Sequence, residues 1–236
     1  MQRGLSSRIK GDGAAWLHNE GNADTSICNR IDYILDHCKG KKVLHIGFTD
    51  NPFTMERLKD NSLLHLKIKN CALELIGVDN ATEAIEIYSK ATGDNKVFTA
   101  DIAERYPQEV VDQDPELILI TEVLEHLEFP KKAVDSLYNS FKHGSQIIVT
   151  VPNYTSLDNI AASLNKTESI HPDHHWYFSP YTLVRLFEPD RFIKKDLHFG
   201  MYYQQGKEIN SFLKKYPYNG DCIIATFLIN KKGNNE

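Results

Sequence analysis

Residues 117–130 read LILITEVLEHLEFP: an apolar run, then carboxylates and an imidazole, then a proline. A strand apolar on both faces is buried between two helix layers, as in a parallel sheet. Glu122, Glu125 and His126 follow it at i, i+3 and i+4, so a helical turn beyond the strand would put all three on one face. Working outward, similar runs recur at 43–47, 73–79, 96–100 and 147–151. Helix-like apolar spacing fills 54–66, 82–91 and 130–141, the last opening on Pro130, and a further helix is expected over 25–37. This alternation predicts an α/β fold, a mainly parallel sheet with helices on both faces. Two later runs, 192–199 and 222–230, are expected to pair as an antiparallel hairpin, and the polar and aromatic stretch 201–221 between them has no clear assignment. From 153 to 179 the chain turns polar and irregular before 180–188 resumes a helical pattern. Long polar insertions on α/β scaffolds commonly overlie the active site.

The 236 residues suit one domain, with 1–40 as an N-terminal helical segment, 153–180 as an active-site insertion or lid, and the tail KKGNNE frayed. A hydrophobic fraction of 41% with 25% charged residues excludes a disordered or coiled-coil chain. The net charge of −5, without an obvious basic run, argues against a nucleic-acid partner. Cys28, Cys38, Cys71 and Cys222 form no CxxC pair, which excludes a zinc ribbon or redox dithiol and predicts reduced thiols. The first residues lack a signal-peptide core, and no segment approaches the ~20 apolar residues of a membrane span. The expectation is a soluble cytoplasmic protein with no membrane partner; nothing in the sequence specifies an oligomeric state.

The ends of the strands carry the chemistry. In VLHIGFTDN, Gly47 permits a sharp turn and close backbone approach of a ligand at the carboxyl edge of the sheet. LIGVDN brings Asp79, followed by Asn80, to the same edge, where a carboxylate can accept from both hydroxyls of a ribose. The 32 residues separating Asp79 from Gly47 exceed the ~20 of the compact dinucleotide fingerprint, and no GxGxxG is present, which argues against a nicotinamide-dependent oxidoreductase. TADI adds Asp101 at the next strand end. Each acid alone could be a helix N-cap, but acids at successive strand ends favour a ligand.

The order VLHIG, GVD, TADI, TEVLEHL and KHGSQIIVTVPN, covering about 43–153, resembles class I S-adenosylmethionine-dependent methyltransferases. EVLEH before a proline and HPDHHWYFSPYTLVRLFE are similar to the branch that holds quinone-biosynthesis and glycan O-methyltransferases. The resemblance implies a Rossmann-like seven-stranded, mainly parallel sheet with a reversed final strand. It places Gly47 under the methionine part of S-adenosyl-L-methionine, Asp79 on the ribose, Asp101 and Ile102 at the adenine, and Thr121 and Glu122 between cofactor and acceptor. His45 stands where such enzymes commonly have an acid, and FTDN replaces the later glycines, which leaves Asp50 or Asn51 to meet the methionine ammonium.

The resemblance also admits a divalent metal. Glu122, Glu125 and His126, closed by a histidine of HPDHH, would suit Mg²⁺, Mn²⁺ or Zn²⁺, as in some quinone and small-RNA 3′-terminal 2′-O-methyltransferases, although many relatives are metal-free. HPDHH could be an ordinary loop, yet three imidazoles beside Trp176, Tyr177 and Phe178 suit a general base. His174 is the first candidate, with His171, His175 and Glu122 behind it, and Tyr154, Trp176 and Tyr177 are expected to wall the acceptor pocket. The resulting expectation is O-methylation of a small-molecule acceptor such as a sugar, by in-line displacement at the sulfonium methyl. The alternatives are RNA 2′-O-methylation, or cofactor binding without catalysis.

Overall fold

The computed structural model describes residues 27–231; the expected frayed tail, apart from Lys231, and most of the N-terminal segment lie outside them. In chain order the described elements begin with β1 (Ile27–Asn29), α1 (Arg30–Cys38), β2 (Lys42–Ile46), α2 (Thr54–Lys59), α3 (Leu64–Lys69) and β3 (Glu74–Asp79). They continue with α4 (Thr82–Thr92), β4 (Val97–Thr99), α5 (Gln108–Val111), β5 (Leu117–Thr121), α6 (Pro130–Ser140) and β6 (Gln146–Pro152). The last are α7 (Leu157–Leu164), α8 (Pro180–Leu186), β7 (Phe192–Met201), α9 (Lys207–Lys215) and β8 (Cys222–Ile229).

All the strands join one sheet in the order β1-β7-β8-β6-β5-β2-β3-β4. β8 runs antiparallel between β6 and β7, while every other pairing is parallel. The apolar residues of the central strands divide between the two faces as a parallel sheet requires. Leu44, Ile46, Ile118 and Ile120 enter one core cluster with α6 and α8, and Val43, Leu117 and Leu119 enter the other with α1. The order reverses between β2 and β5, so the crevice at a switch point of the kind that admits ligands opens beyond their carboxyl ends.

Three local expectations are corrected. The sheet has an eighth strand, because Ile27–Asn29 pairs with Phe199–Met201 instead of beginning a helix. Asn29 Oδ1 then accepts from the main-chain N–H groups of Ile31 and Asp32 at 2.9 and 3.1 Å, an N-cap that fixes the start of α1. The helix expected over 54–66 is broken into α2 and α3 by Asn61 at φ +56, and the break turns Leu63, His65 and Ile68 into the interior. The unassigned stretch contains α9, and the irregular insertion contains α7.

Candidate active site

A cavity of about 500 Å³ opens at the carboxyl ends of β2, β3, β4 and β5. At its floor Gly47 has φ +70, and a β-carbon there would collide with Val123 Cγ2. Only glycine therefore permits this close passage of the two strand ends. Asp79 lines the cavity with one carboxylate oxygen held by Thr49, through its N–H at 3.0 Å and its hydroxyl at 2.9 Å, while the other accepts from Ala81 N at 3.1 Å. The carboxylate thus organises the turn after β2 as well as facing the cavity. Asp50, Asn51, Asn80, Asp101 and Ile102 also line it, so the sequence-predicted cofactor residues converge, with one exception. Asp50 also accepts from Arg57 Nε at 2.8 Å, and Asp101 caps its own turn through Ala103 N at 2.8 Å. Thr121 is the exception, lying behind the wall with its hydroxyl 2.9 Å from His45 Nε2.

His45 and His65 form a pair that the sequence did not announce. Their Nδ1 atoms are 3.1 Å apart and both rings are buried, His65 packing against Phe48 and Tyr88 on the α4 side. Burial lowers His45 to about 3 and His65 well below the ordinary imidazole range, so both are neutral. A neutral imidazole thus replaces a carboxylate without leaving an uncompensated buried charge.

Beyond β5 the expected helical turn does not form at Glu122. That residue has φ +56, and only Leu124–His126 closes into a short 3₁₀ turn, which separates Glu122 from the face of Glu125 and His126. A non-glycine residue in this region costs ~1–3 kcal/mol. Glu122 is held there by its own bonds: its N–H donates to Thr150 O at 2.9 Å, and its carboxylate accepts from Thr150 Oγ1 at 2.7 Å and Tyr202 Oη at 2.5 Å. Arg30 Nη1 stands 3.8 Å from it. Arg30 and Tyr202 come from the two ends of the described chain, and no local pattern marks them.

The polar insertion is sewn to the same turn. His175 N and Trp176 N both donate to Glu125 O, at 2.8 and 3.3 Å, and Trp176 Nε1 donates to Leu127 O at 2.8 Å. These bonds carry His174 to the turn, where Glu125, His126 and His174 each offer a ligand atom within 4.8 Å of the others. Glu125 is 1% exposed and neither carboxylate oxygen has a partner. Burial, then the nearby Glu122, raises its pKa well above the carboxylate range. His174 is lowered to about 4 by burial and by the neighbouring His126 and His171, so its lone pair is free at neutral pH. His171 Nδ1 accepts from Asp173 N at 3.3 Å, which leaves Nε2 as the ring's donor atom. His175 is exposed and lines neither this cavity nor its neighbour.

The neighbouring cavity, about 220 Å³, meets the first at His171 and His174. Trp176, Tyr177, Tyr202 and Tyr203 supply its rings, and Asn153, Asn159, Asp158 and Asp221 its polar groups. Tyr154, expected in the acceptor wall, lies in a different cavity.

A family model described as a methyltransferase domain matches residues 20–189. The chain belongs to this methyltransferase family. Solved structures agree on the fold at low identity. The small RNA methyltransferase HEN1 is 15% identical with a TM-score of 0.58, covering 94% of this chain, and this chain spans only 28% of that one. A SAM-dependent methyltransferase from Archaeoglobus fulgidus is 19% identical with a TM-score of 0.50, over 84% of this chain and 91% of that one. The N-methyltransferase NodS from Bradyrhizobium japonicum, solved with S-adenosyl-L-homocysteine, is 14% identical with a TM-score of 0.50, over 97% and 98% of the two chains. No curated protein matches the sequence. Among the described residues no helix is long and apolar enough to cross a membrane.

Proposed function

We propose that this methyltransferase transfers the methyl to a hydroxyl oxygen of a small, uncharged, polyhydroxylated acceptor, at a junction that also holds a divalent cation. One observation carries the reading: His171 and His174 line both cavities, so whatever occupies the smaller one faces the cofactor's cavity across these imidazoles. In this reading the cofactor lies along the larger cavity, with its methionine part over Gly47 and its ribose at Asp79. Its adenine sits by Asp101 and Ile102, with Asp50, Asn51 and Asn80 around it.

Glu125 supports the cation. A buried carboxyl with two unpartnered oxygens either keeps its proton or is compensated by positive charge, and two imidazoles with free lone pairs stand beside it. One carboxylate and two imidazoles favour Mn²⁺, Zn²⁺ or Fe²⁺ over Mg²⁺. Such a cation would acidify a hydroxyl placed against it. Glu122 has its own partners in Thr150 and Tyr202, so Glu125, His126 and His174 would be the ligands.

The remaining work belongs to the chain. His171 Nε2–H would donate to the acceptor and orient it, Trp176 and Tyr202 would exclude water, and the walls would hold the attacking oxygen ~3 Å from the methyl carbon. His174 is the nearest proton acceptor where no cation occupies it, although its lowered basicity gives less driving force than an ordinary imidazole. Among the described residues the acceptor cavity is lined by carboxylates and amides without a lysine or arginine, which favours a neutral sugar-like acceptor over an RNA end. Exhaustive chelation should lower turnover on a hydroxylated acceptor by at least ~10²-fold, with Mn²⁺ or Zn²⁺ restoring it. Undiminished turnover after chelation would remove the cation and return the proton to His174.

A further inference from the structure

We infer that the acceptor is longer than a single ring, and that a second subsite, walled by Tyr154 and Tyr177, binds its next uncharged polyhydroxylated unit. The inference rests on the acceptor reading above and extends it along the surface. The cavity beside His174, at about 220 Å³, is smaller than the ~300–1,000 Å³ of pockets that enclose a whole drug-sized ligand, so it holds one ring-sized group. A third cavity of about 720 Å³ adjoins it and shares Asn159, Ser169 and Tyr177 with it. The cofactor cavity, the acceptor cavity and this third one therefore follow one another along the insertion, and the third has no part in binding the cofactor or moving the methyl.

Its chemistry selects the class of ligand. Tyr154 and Tyr177 meet at a centroid distance of 5.2 Å and an interplanar angle of 60°, and Tyr154 leaves 55% of its surface open. An open aromatic face beside polar groups suits the apolar face of a sugar ring, since the ring is amphipathic and needs little desolvation elsewhere. One amide N–H of Asn159 and one of Asn219 donate to the main-chain carbonyls of Asn153 and Thr155, at 3.2 and 2.8 Å. Their side-chain oxygens remain to accept from ligand hydroxyls. Among the described residues neither cavity is lined by a lysine or arginine, while Asp158 and Asp221 line the second and Glu168 the third. Successive phosphates of a nucleic acid would meet these carboxylates, and hydroxyls would meet acceptors.

The test is calorimetry on the full chain saturated with S-adenosyl-L-homocysteine, titrated with a series of neutral mono-, di- and trisaccharides and with short RNA oligomers. At least one disaccharide should bind about 10-fold or more tightly than its component monosaccharides, with Tyr154→Ala erasing that gain and leaving monosaccharide and cofactor affinity unchanged. Tyr154→Phe should retain it, which separates the ring face from the hydroxyl. Monosaccharides that bind as tightly as every longer saccharide would overturn the second subsite alone. RNA bound in preference to every saccharide, or no saccharide bound by a chain that binds the cofactor, would overturn the acceptor reading together with the subsite.

Discussion

The cofactor half and the acceptor half of this molecule are built by different means. The first is a row of strand ends: Gly47, Asp79 and Asp101 each follow their own strand, and sheet register alone brings them to one edge. The second is gathered from Arg30, the turn carrying Glu122 and Glu125, His174, Tyr202 and Asp221, segments that meet only through contacts distant in sequence. The difference teaches that the first half rests on backbone geometry and the second on side-chain bonds. The two should therefore fail separately.

The largest effect is expected where backbone geometry is hardest to replace. Gly47→Val puts a branched side chain at φ +70 against Val123, and affinity for S-adenosyl-L-homocysteine should fall at least about 100-fold, or roughly 2.7 kcal/mol. Retained affinity in a folded variant would break the claim that the turn needs glycine. Asp79→Ala comes next. It removes a charge-assisted acceptor and frees Thr49, so a loss of about 1.5–3 kcal/mol, roughly 10- to 150-fold in cofactor affinity, is expected with mono- and disaccharide affinity unchanged in order. If saccharide binding collapsed equally, the two halves would not be separable.

An effect on stability rather than on affinity belongs to the histidine pair beneath the cofactor half. Both imidazoles titrate below their unfolded value of ~6.5, so above that pH neither state binds the extra proton and stability is flat. As pH falls from ~6.5 toward the native value of about 3 for His45, the unfolded chain takes up protons that the native one refuses. Stability should drop by up to about 1.4 kcal/mol per pH unit for each histidine. His65→Phe, whose ring suits the Phe48 and Tyr88 surroundings, should shallow that acid slope in denaturant unfolding measured between pH 4 and 7. An unchanged slope would show that His65 is not held neutral.

Legibility in the sequence divides along the same line. Buried parallel strands announce themselves by apolar runs, and a glycine or acid at a strand end stays at the sheet edge whatever surrounds it, so most of the residues lining the larger cavity were readable. Thr121 lies off the cavity because strand alternation turns its hydroxyl to His45 on the adjacent strand β2, a pairing that no local pattern encodes. Glu122, Glu125 and His126 have helical spacing, but spacing carries no information about the left-handed backbone that Thr150 and Tyr202 stabilise at Glu122. His174 was identifiable as chemistry; its meeting with Glu125 depends on main-chain bonds from His175 and Trp176, which no side-chain pattern encodes.

The central claim is that a cation site at Glu125, His126 and His174 joins two otherwise independent halves. Its most direct test is paired calorimetry of the wild type and Glu125→Gln, titrating Mn²⁺ and S-adenosyl-L-homocysteine separately into each. The account predicts that the wild type binds Mn²⁺ and that the variant loses at least about 100-fold in Mn²⁺ affinity, while cofactor affinity stays within about twofold. Wild-type protein that binds no Mn²⁺, or a variant that loses cofactor and cation together, would contradict it.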